Sequence, residues 1–477
     1  MNQSTNSRSS LLIAGITIIA ALGGFLFGFD SGVINGTVEG LQSAFHSSSV
    51  GTGFSVASLL LGCAAGAFFA GRLADNFGRK TVMIIAAVLF IITAWGTGIS
   101  QTTSEFVLAR IAAGLAIGAV SILAPAYISE IAPADLRGML TSLQQVAIIV
   151  GLFMSFVSNY LIAGAAGSAT ATFWIGFPAW RWMFWMELIP AIIFFVGLLF
   201  IPESPRYYMV SDQRDEAMDV LTRLYGIETA RNKIRDIKKS IERYSSKPRL
   251  SDLWDFTRSR VKPIVWVGLG LAIFQQLVGI NVIFYYGSVL WQAVGFTENV
   301  SLLSNVINGG VSIVAVLIAL VLIDRIGRKP LLWIGSAGMT ISLAVMTYAF
   351  STATMTSSGL NLSGTMGMVA LVAANVYVAF FNGTWGPVMW VMLGEMFPNQ
   401  IRGSGLAVSG LGQWIANFGV TMTFPVFLAG IGLEGAYSIY AGFALISLIF
   451  VLYMVPETKG RELEDMDLLW EPDLQET

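Results

Sequence analysis

Twelve times along 477 residues the sequence runs apolar for the length a helix needs to cross a bilayer, and few folds accommodate that. About 20 apolar residues at 1.5 Å rise span the hydrocarbon. These stretches begin near residues 11, 51, 81, 105, 139 and 181, and again near 261, 301, 331, 367, 404 and 435. In lipid a helix satisfies its own backbone, so the fold expected is an all-α membrane protein of twelve transmembrane helices. Charged residues make up 12% of the chain, against about 25% in a soluble domain. A net charge of −2 carries no polyanion-binding signature, and nucleic acid is not an expected partner. With Cys63 and His46 each the only one of its kind, the sequence offers no internal disulfide and no Cys/His metal site. The opening MNQSTNSRSS is polar with one Arg8 and lacks a small-residue cleavage site, which reads as an uncleaved first helix.

Charge placement sets orientation. Of 27 Lys and Arg residues, all but Arg110 and Arg181 fall in loops and tails on one side. The positive-inside rule makes that side cytoplasmic, with both termini, in an inner or plasma membrane. The segment 203–260 is the one sizeable polar insertion, with helix-like stretches at Asp212 to Tyr225 and Glu228 to Tyr244. The chain repeats itself across it. GRLADNFGRK (71–80) is echoed by LVLIDRIGRK (320–329), SEIAPADLRG (129–138) by GEMFPNQIRG (394–403), and PESPR (202–206) by PETKGRE (456–462). Three echoes in one order imply duplication. The organisation expected is a six-helix bundle over 1–202, a cytoplasmic helical linker over 203–260, a second pseudo-symmetric six-helix bundle over 261–455 and a tail over 456–477. A binding site between the bundles near the midplane follows from that architecture.

Two sets of residues violate the apolar pattern. In FQQLVGINVIFYY (274–286), Gln275, Gln276 and Asn281 stand where lipid would favour Leu. Each unpaired polar group in hydrocarbon costs several kcal/mol. They therefore face a polar cavity or bridge to other helices, since amides also act as interhelical links. Gly279 between them predicts unwinding, and neutral donor–acceptor amides beside Phe284, Tyr285 and Tyr286 suit a neutral many-hydroxyl ligand. Gln413 and Asn417, four apart, share one helix face in the same sense.

The second set is charged: Asp30 on span one, Arg110 on span four and Glu187 on span six. A charge in mid-span costs about 2.5–3.5 kcal/mol on insertion scales, so the three are expected to meet inside the first bundle. Asp30 is the candidate proton carrier, ionised beside Arg110 and neutralised when that pairing loosens. A static Asp–Arg pair that fixes helix packing is the alternative. At the cytoplasmic helix ends Asp75, Arg79, Glu130, Arg137 and Glu203 mirror Asp324, Arg328, Glu395, Arg402 and Glu457. Opposite charges at matched positions form a latch expected to bridge the bundles when that face closes.

Taken together, the D-x-x-G-R-K loops, PESPR, PETKG, QQLVGINVIFYY and the E-x6-R pairs resemble the sugar porter family of monosaccharide transporters in the major facilitator superfamily. The resemblance covers nearly the whole chain. It implies alternating access, sugar contacts from Phe27, Gln145, Gln275, Gln276, Asn281, Trp390, Gln413, Trp414 and Asn417, and gating by Tyr285, Tyr286 and a bend at Gly386-Pro387. Asp at position 30 resembles the proton symporters, where facilitators carry Asn. Leu152 and Phe284 resemble the hexose carriers. The family's usual Asn in span eight is here Ser312, with Asn308 one turn away as a substitute.

The function expected is proton-coupled symport of a monosaccharide, glucose or a similar hexose, by a protein working as a monomer. A passive uniporter and a sugar sensor are the alternatives. No cofactor or metal is expected. The chain lacks a G-x-x-x-x-G-K-[ST] loop, which disfavours ATP-driven transport, and no nucleophile–base set marks it as an enzyme.

Overall fold

The computed structural model describes residues 2–133, 136–243, 250–255, 260–356, 359–398 and 401–460. Among the described residues, twelve helical spans make it an all-α membrane protein. Six precede the linker: Leu11–Gly36, Ser49–Phe77, Arg79–Ile99, Thr103–Ile131, Gly138–Ala166 and Ala179–Phe200. Six follow it: Pro263–Gln292, Glu298–Ile326, Arg328–Ser351, Gly364–Met396, Arg402–Gly430 and Gly432–Met454. Eleven are long and apolar enough to cross a membrane by composition alone. The exception, span eleven (Arg402–Gly430), is 29 residues long but carries Gln413, Asn417, Thr421 and Thr423. Its polar face lowers its hydropathy, which already separates it from a helix wetted by lipid all round.

The chain forms two compact units whose division does not follow the sequence halves. The first comprises Met1–Asp30, Gly62–Leu152 and Phe184–Lys247; the second comprises Ser31–Leu61, Phe153–Met183 and Pro248–Thr477. Spans three and four thus lie wholly in the first unit, while spans one, two, five and six are each divided within the helix.

In the first unit, spans two and four cross on small residues. Side chains at Gly62 and Gly66 would collide with the backbone at Ile111 and Leu115, and one at Gly118 with the Cys63 carbonyl. Gly62-x-x-x-Gly66 and Gly114-x-x-x-Gly118 provide the close approach that lipid-embedded helices need, because packing rather than hydrophobicity holds them. The linker adds helices Pro205–Val210, Arg214–Tyr225 and Ile227–Arg243. Ala217, Leu221, Ala230 and Ile234 pack together at their centre. Tyr225 ties them to the first bundle through a hydrogen bond from its hydroxyl to the Ile131 carbonyl. Outside the spans lie two short antiparallel strand pairs, Trp254–Asp255 with Arg260–Val261 and Thr354–Thr356 with Gly359–Asn361. Tail residues 461–477 lie outside the described residues, as does the Arg137 side chain.

Candidate functional site

The buried charges meet in the first unit. Arg110 donates from Nη1 to Asp30 Oδ1, and the Glu187 carboxyl is a buried neighbour of Asp30. All three are almost fully buried. The local sequence explains where Glu187 sits. Pro190 has no N–H and its ring crowds the carbonyl four residues back, so it breaks the helix near Met186. Span six accordingly runs Ala179–Trp185 and then Leu188–Phe200, with Glu187 at the junction. The Phe184 ring centroid is 5.8 Å from the Arg110 guanidinium carbon. Among the described residues Asp30 Oδ2 and Arg110 Nε have no hydrogen-bond partner. The cluster thus holds two acidic groups and one guanidinium.

The second unit holds the amides. Span seven breaks where the glycine predicts: Pro263–Leu277 and Ile280–Gln292 meet at Gly279, whose φ of 84° favours a residue without Cβ. A Cβ there would also press on the Tyr440 ring. Around the break the amides form one chain of hydrogen bonds. Gln413 Nε2 donates to Gln275 Oε1 at 3.0 Å and Gln276 Nε2 to the same oxygen at 3.1 Å. Asn281 Nδ2 donates to Gln276 Oε1 at 2.7 Å and to Asn417 Oδ1 at 2.8 Å, and Thr421 closes the chain onto Asn417 at 3.1 Å. Gln275 Nε2 reaches the carbonyls of Trp385 and Gly386 in span ten at 3.2 and 3.3 Å. Gln413 Oε1 is buried without a partner among the described residues. A cluster of neutral amides with spare acceptor capacity matches the alternating donors and acceptors of a polyol.

Other residues singled out from sequence lie in both units. Trp414 is buried beside Gln413, whereas Trp390 is 37% exposed. Phe27 and Gln145 lie in the first unit, both half-buried. The neighbouring Gln144 is more deeply buried, and neither of its amide atoms has a partner among the described residues. Tyr285 and Tyr286 are buried, and the Tyr286 hydroxyl donates to the Thr421 carbonyl at 3.0 Å, joining the amide cluster. Span ten does break near Gly386-Pro387, but at Thr384, whose φ and ψ are −139° and −85°. A proline disturbs the turn preceding it, which displaces the break toward the N-terminus. Ser312 donates to the Asn308 carbonyl at 2.7 Å and accepts from Asn382 at 3.1 Å. Both side-chain atoms of Asn308 are buried without partners among the described residues. Asn382, Asn308 and Gln144 extend the polar set beyond the motif. Asn382 is one amide within an apolar run, which packing alone also explains, whereas Gln144 adjoins Gln145 and Asn308 lies one turn from Ser312.

The helix-end charges form two matching networks, one in each unit. Arg79 pairs with Glu130 at 3.3 Å and Asp75 at 3.5 Å, while Arg328 pairs with Glu395 at 2.7 Å and Asp324 at 2.9 Å. Glu203 accepts from the backbone N–H groups of Arg79 and Lys80, and Glu457 from those of Arg328 and Lys329. These are carboxylates at helix N-termini, where orphan donors and the helix dipole favour negative charge. Gly78 and Gly327, with φ of 92° and 106°, turn the chain so that the cap forms. Ser204 and Thr458 bond to Glu130 and Glu395 respectively. Arg402 donates to the Phe397 carbonyl at 3.1 Å. Among the described residues no group of acidic, His or Cys side chains is placed to hold a metal.

Comparison with known proteins follows the same lines. The model of the family described as "Sugar (and other) transporter" matches residues 16–470. A glucose transport protein of Synechocystis sp. is 49% identical over 467 residues, 98% of each chain. The D-xylose-proton symporter of Escherichia coli K12 is 36% identical over 509 aligned positions, covering 100% of this chain and 99% of the other. The inward-open structure of the E. coli xylose transporter XylE superposes with a TM-score of 0.82 at 36% identity, covering 96% of this chain and all of that one. The same symporter bound to 6-bromo-6-deoxy-D-glucose gives 0.77, over 97% and 100% of the two chains. These relatives are carriers rather than enzymes. Matched along nearly its whole length, the chain belongs to the sugar porter family of the major facilitator superfamily.

Proposed function

We propose that this chain imports a hexose, glucose or a close analogue, together with a proton. It would do so by alternating access in the plasma membrane, as a monomer with both termini and the 203–260 linker on the cytoplasmic side. The observation that carries the reading is the buried Asp30–Arg110–Glu187 cluster. A buried Asp–Arg pair with a second buried carboxyl beside the Asp is a costly, water-shielded set of charges that carrying a neutral sugar does not by itself require. The amide chain from Gln413 through Asn281 to Thr421 supplies neutral hydrogen-bonding partners for hydroxyls. Trp414 adds an apolar surface for a pyranose face. Glucose is favoured over xylose by the name of the relative at 49% identity and by Leu152 and Phe284. The cytoplasmic networks hold helix ends in each repeat, and we assign them the gating role that requires them to rearrange during transport.

A proton moving down about 100 mV releases about 2.3 kcal/mol, enough for roughly 50-fold accumulation of a neutral solute. The test is uptake into proteoliposomes with and without a pH gradient, using labelled glucose competed by a panel of hexoses and pentoses. The expected result is uphill accumulation abolished by a protonophore, and its loss in Asp30→Asn with exchange of labelled for unlabelled sugar retained. Accumulation that is unchanged in Asp30→Asn removes Asp30 from the coupling role. Mere equilibration by the unmodified chain replaces symport with uniport.

A further inference from the structure

Gln276 and Asn281 are five residues apart on span seven, and on an unbroken helix their side chains would point about 140° away from each other. They nevertheless meet, since Asn281 Nδ2 donates to Gln276 Oε1 at 2.7 Å. The break at Gly279 is what closes that angle, so whatever fixes the break also fixes the pair. A helix that stops leaves its last carbonyls without donors of their own. Here the Gln276 carbonyl accepts from the Gly279 N–H at 3.0 Å. The Val278 carbonyl, next to the glycine, accepts from the Tyr377 hydroxyl of span ten at 2.8 Å. Tyr377 is fully buried on the helix Gly364–Gly383. The Tyr440 ring of span twelve fills the space that a Cβ on Gly279 would need. All of these residues belong to the second unit.

We infer that Tyr377 is a positioning residue for the sugar amides: its hydroxyl holds the Val278 carbonyl and so sets the angle at which Gln276 and Asn281 converge. This rests on the reading above in which those amides bind the sugar. The hydroxyl proton of Tyr377 is committed to the backbone, so the residue acts through the break rather than as a sugar contact. Without that hydrogen bond the peptide after Val278 is free to turn, and the two amides no longer meet at a fixed separation. The same aromatic cluster contains a matched residue with no such bond. Tyr437 of span twelve is as buried as Tyr377, and its ring centroid lies 5.8 Å from that of Tyr440. Its hydroxyl has no hydrogen-bond partner among the described residues.

The experiment measures the initial rate of glucose uptake over a concentration series in proteoliposomes, for the full-length chain and for Tyr377→Phe and Tyr437→Phe, each of which loses one oxygen. For Tyr377→Phe the expected result is a half-saturation concentration raised about 3- to 10-fold, the effect of one hydrogen bond, with the maximal rate kept within about twofold. Tyr437→Phe is expected to match the unmodified chain. Combined with Gln276→Leu, Tyr377→Phe should add little further, because both changes act on one amide pair. Tyr377→Met also lacks the donor but repacks more freely, and it carries the test if Tyr377→Phe does not fold. An unchanged half-saturation in Tyr377→Phe overturns the proposal, as does an equal rise in Tyr437→Phe. A fall in maximal rate at unchanged half-saturation overturns it too, since the hydroxyl would then act on movement rather than on sugar placement. Full additivity with Gln276→Leu has the same force. An unchanged half-saturation in Gln276→Leu alone instead removes the amides as the sugar site, and the proposal falls with that reading.

Discussion

Replacing Gln275 with leucine is the sharpest test of the amide cluster as the sugar site, because Gln275 is its most connected member. Its Oε1 accepts from two amides at 3.0 and 3.1 Å, and its Nε2 reaches two carbonyls at the longer distances of 3.2 and 3.3 Å. Leucine preserves the bulk but leaves Gln276 Nε2 and Gln413 Nε2 without that acceptor. A buried donor left unpaired costs about 1–3 kcal/mol, so the variant should lose about 2–4 kcal/mol of stability after partial relaxation. For transport, the loss of one or two hydrogen bonds to sugar hydroxyls, about 0.5–1.5 kcal/mol each, raises the half-saturation concentration by about 2- to 160-fold. The assay is the initial rate of glucose uptake over a concentration series in proteoliposomes, alongside thermal melting in detergent. Gln413→Leu removes only one bond to Gln275 and should fall between the unmodified chain and Gln275→Leu in both measurements. A folded Gln275→Leu with half-saturation within twofold of the unmodified chain would refute the assignment, leaving the amides as helix–helix links.

Two further outcomes follow from the backbone. Glu203→Gln and Glu457→Gln each remove a charge-assisted N-cap, and because the two networks repeat the same geometry they should lower stability by similar amounts, about 1–2 kcal/mol, read as matched shifts in thermal melting. Unequal shifts, with one near zero, would show that the repeats are not energetically equivalent. Gly279→Ala imposes a Cβ where φ is 84° and where the Tyr440 ring stands in the way. The left-handed conformation alone costs about 1–2 kcal/mol, so melting should fall by at least that much and uptake with it; an unchanged melting temperature would contradict the description of the break.

The spans were legible because lipid imposes a length and a composition on each of them, and even span eleven, too polar for hydropathy alone, is delimited by its repeat. Gly279 was legible as a break because a glycine amid polar residues has few other uses. The break in span ten was legible as to cause but not place: Pro387 disturbs the preceding turn, so Thr384 takes the unusual conformation. Pro190 acts in the same way on span six, and it is what sets Glu187 at a helix junction. The charge motifs identified the helix ends, but which carboxylate meets which arginine depends on side-chain reach. In the structure Arg79 and Arg328 each bond acids of their own repeat.

What the sequence determined by itself was the helical spans and the residue types that lipid would not tolerate, because each of these is a local property set against a uniform solvent. Only the tertiary structure decided which of those intolerable residues meet. Asn35 and Asn382 are each a single amide in an apolar run, and one such residue reads the same whether it ties two helices or lines a binding site. The difference lies in partners contributed by segments distant in the sequence, as where Asn35 clips the rung between Phe284 and Ser288. A hydrogen bond is made at about 3 Å in space, and the order of residues along a chain does not fix that distance until the helices have packed.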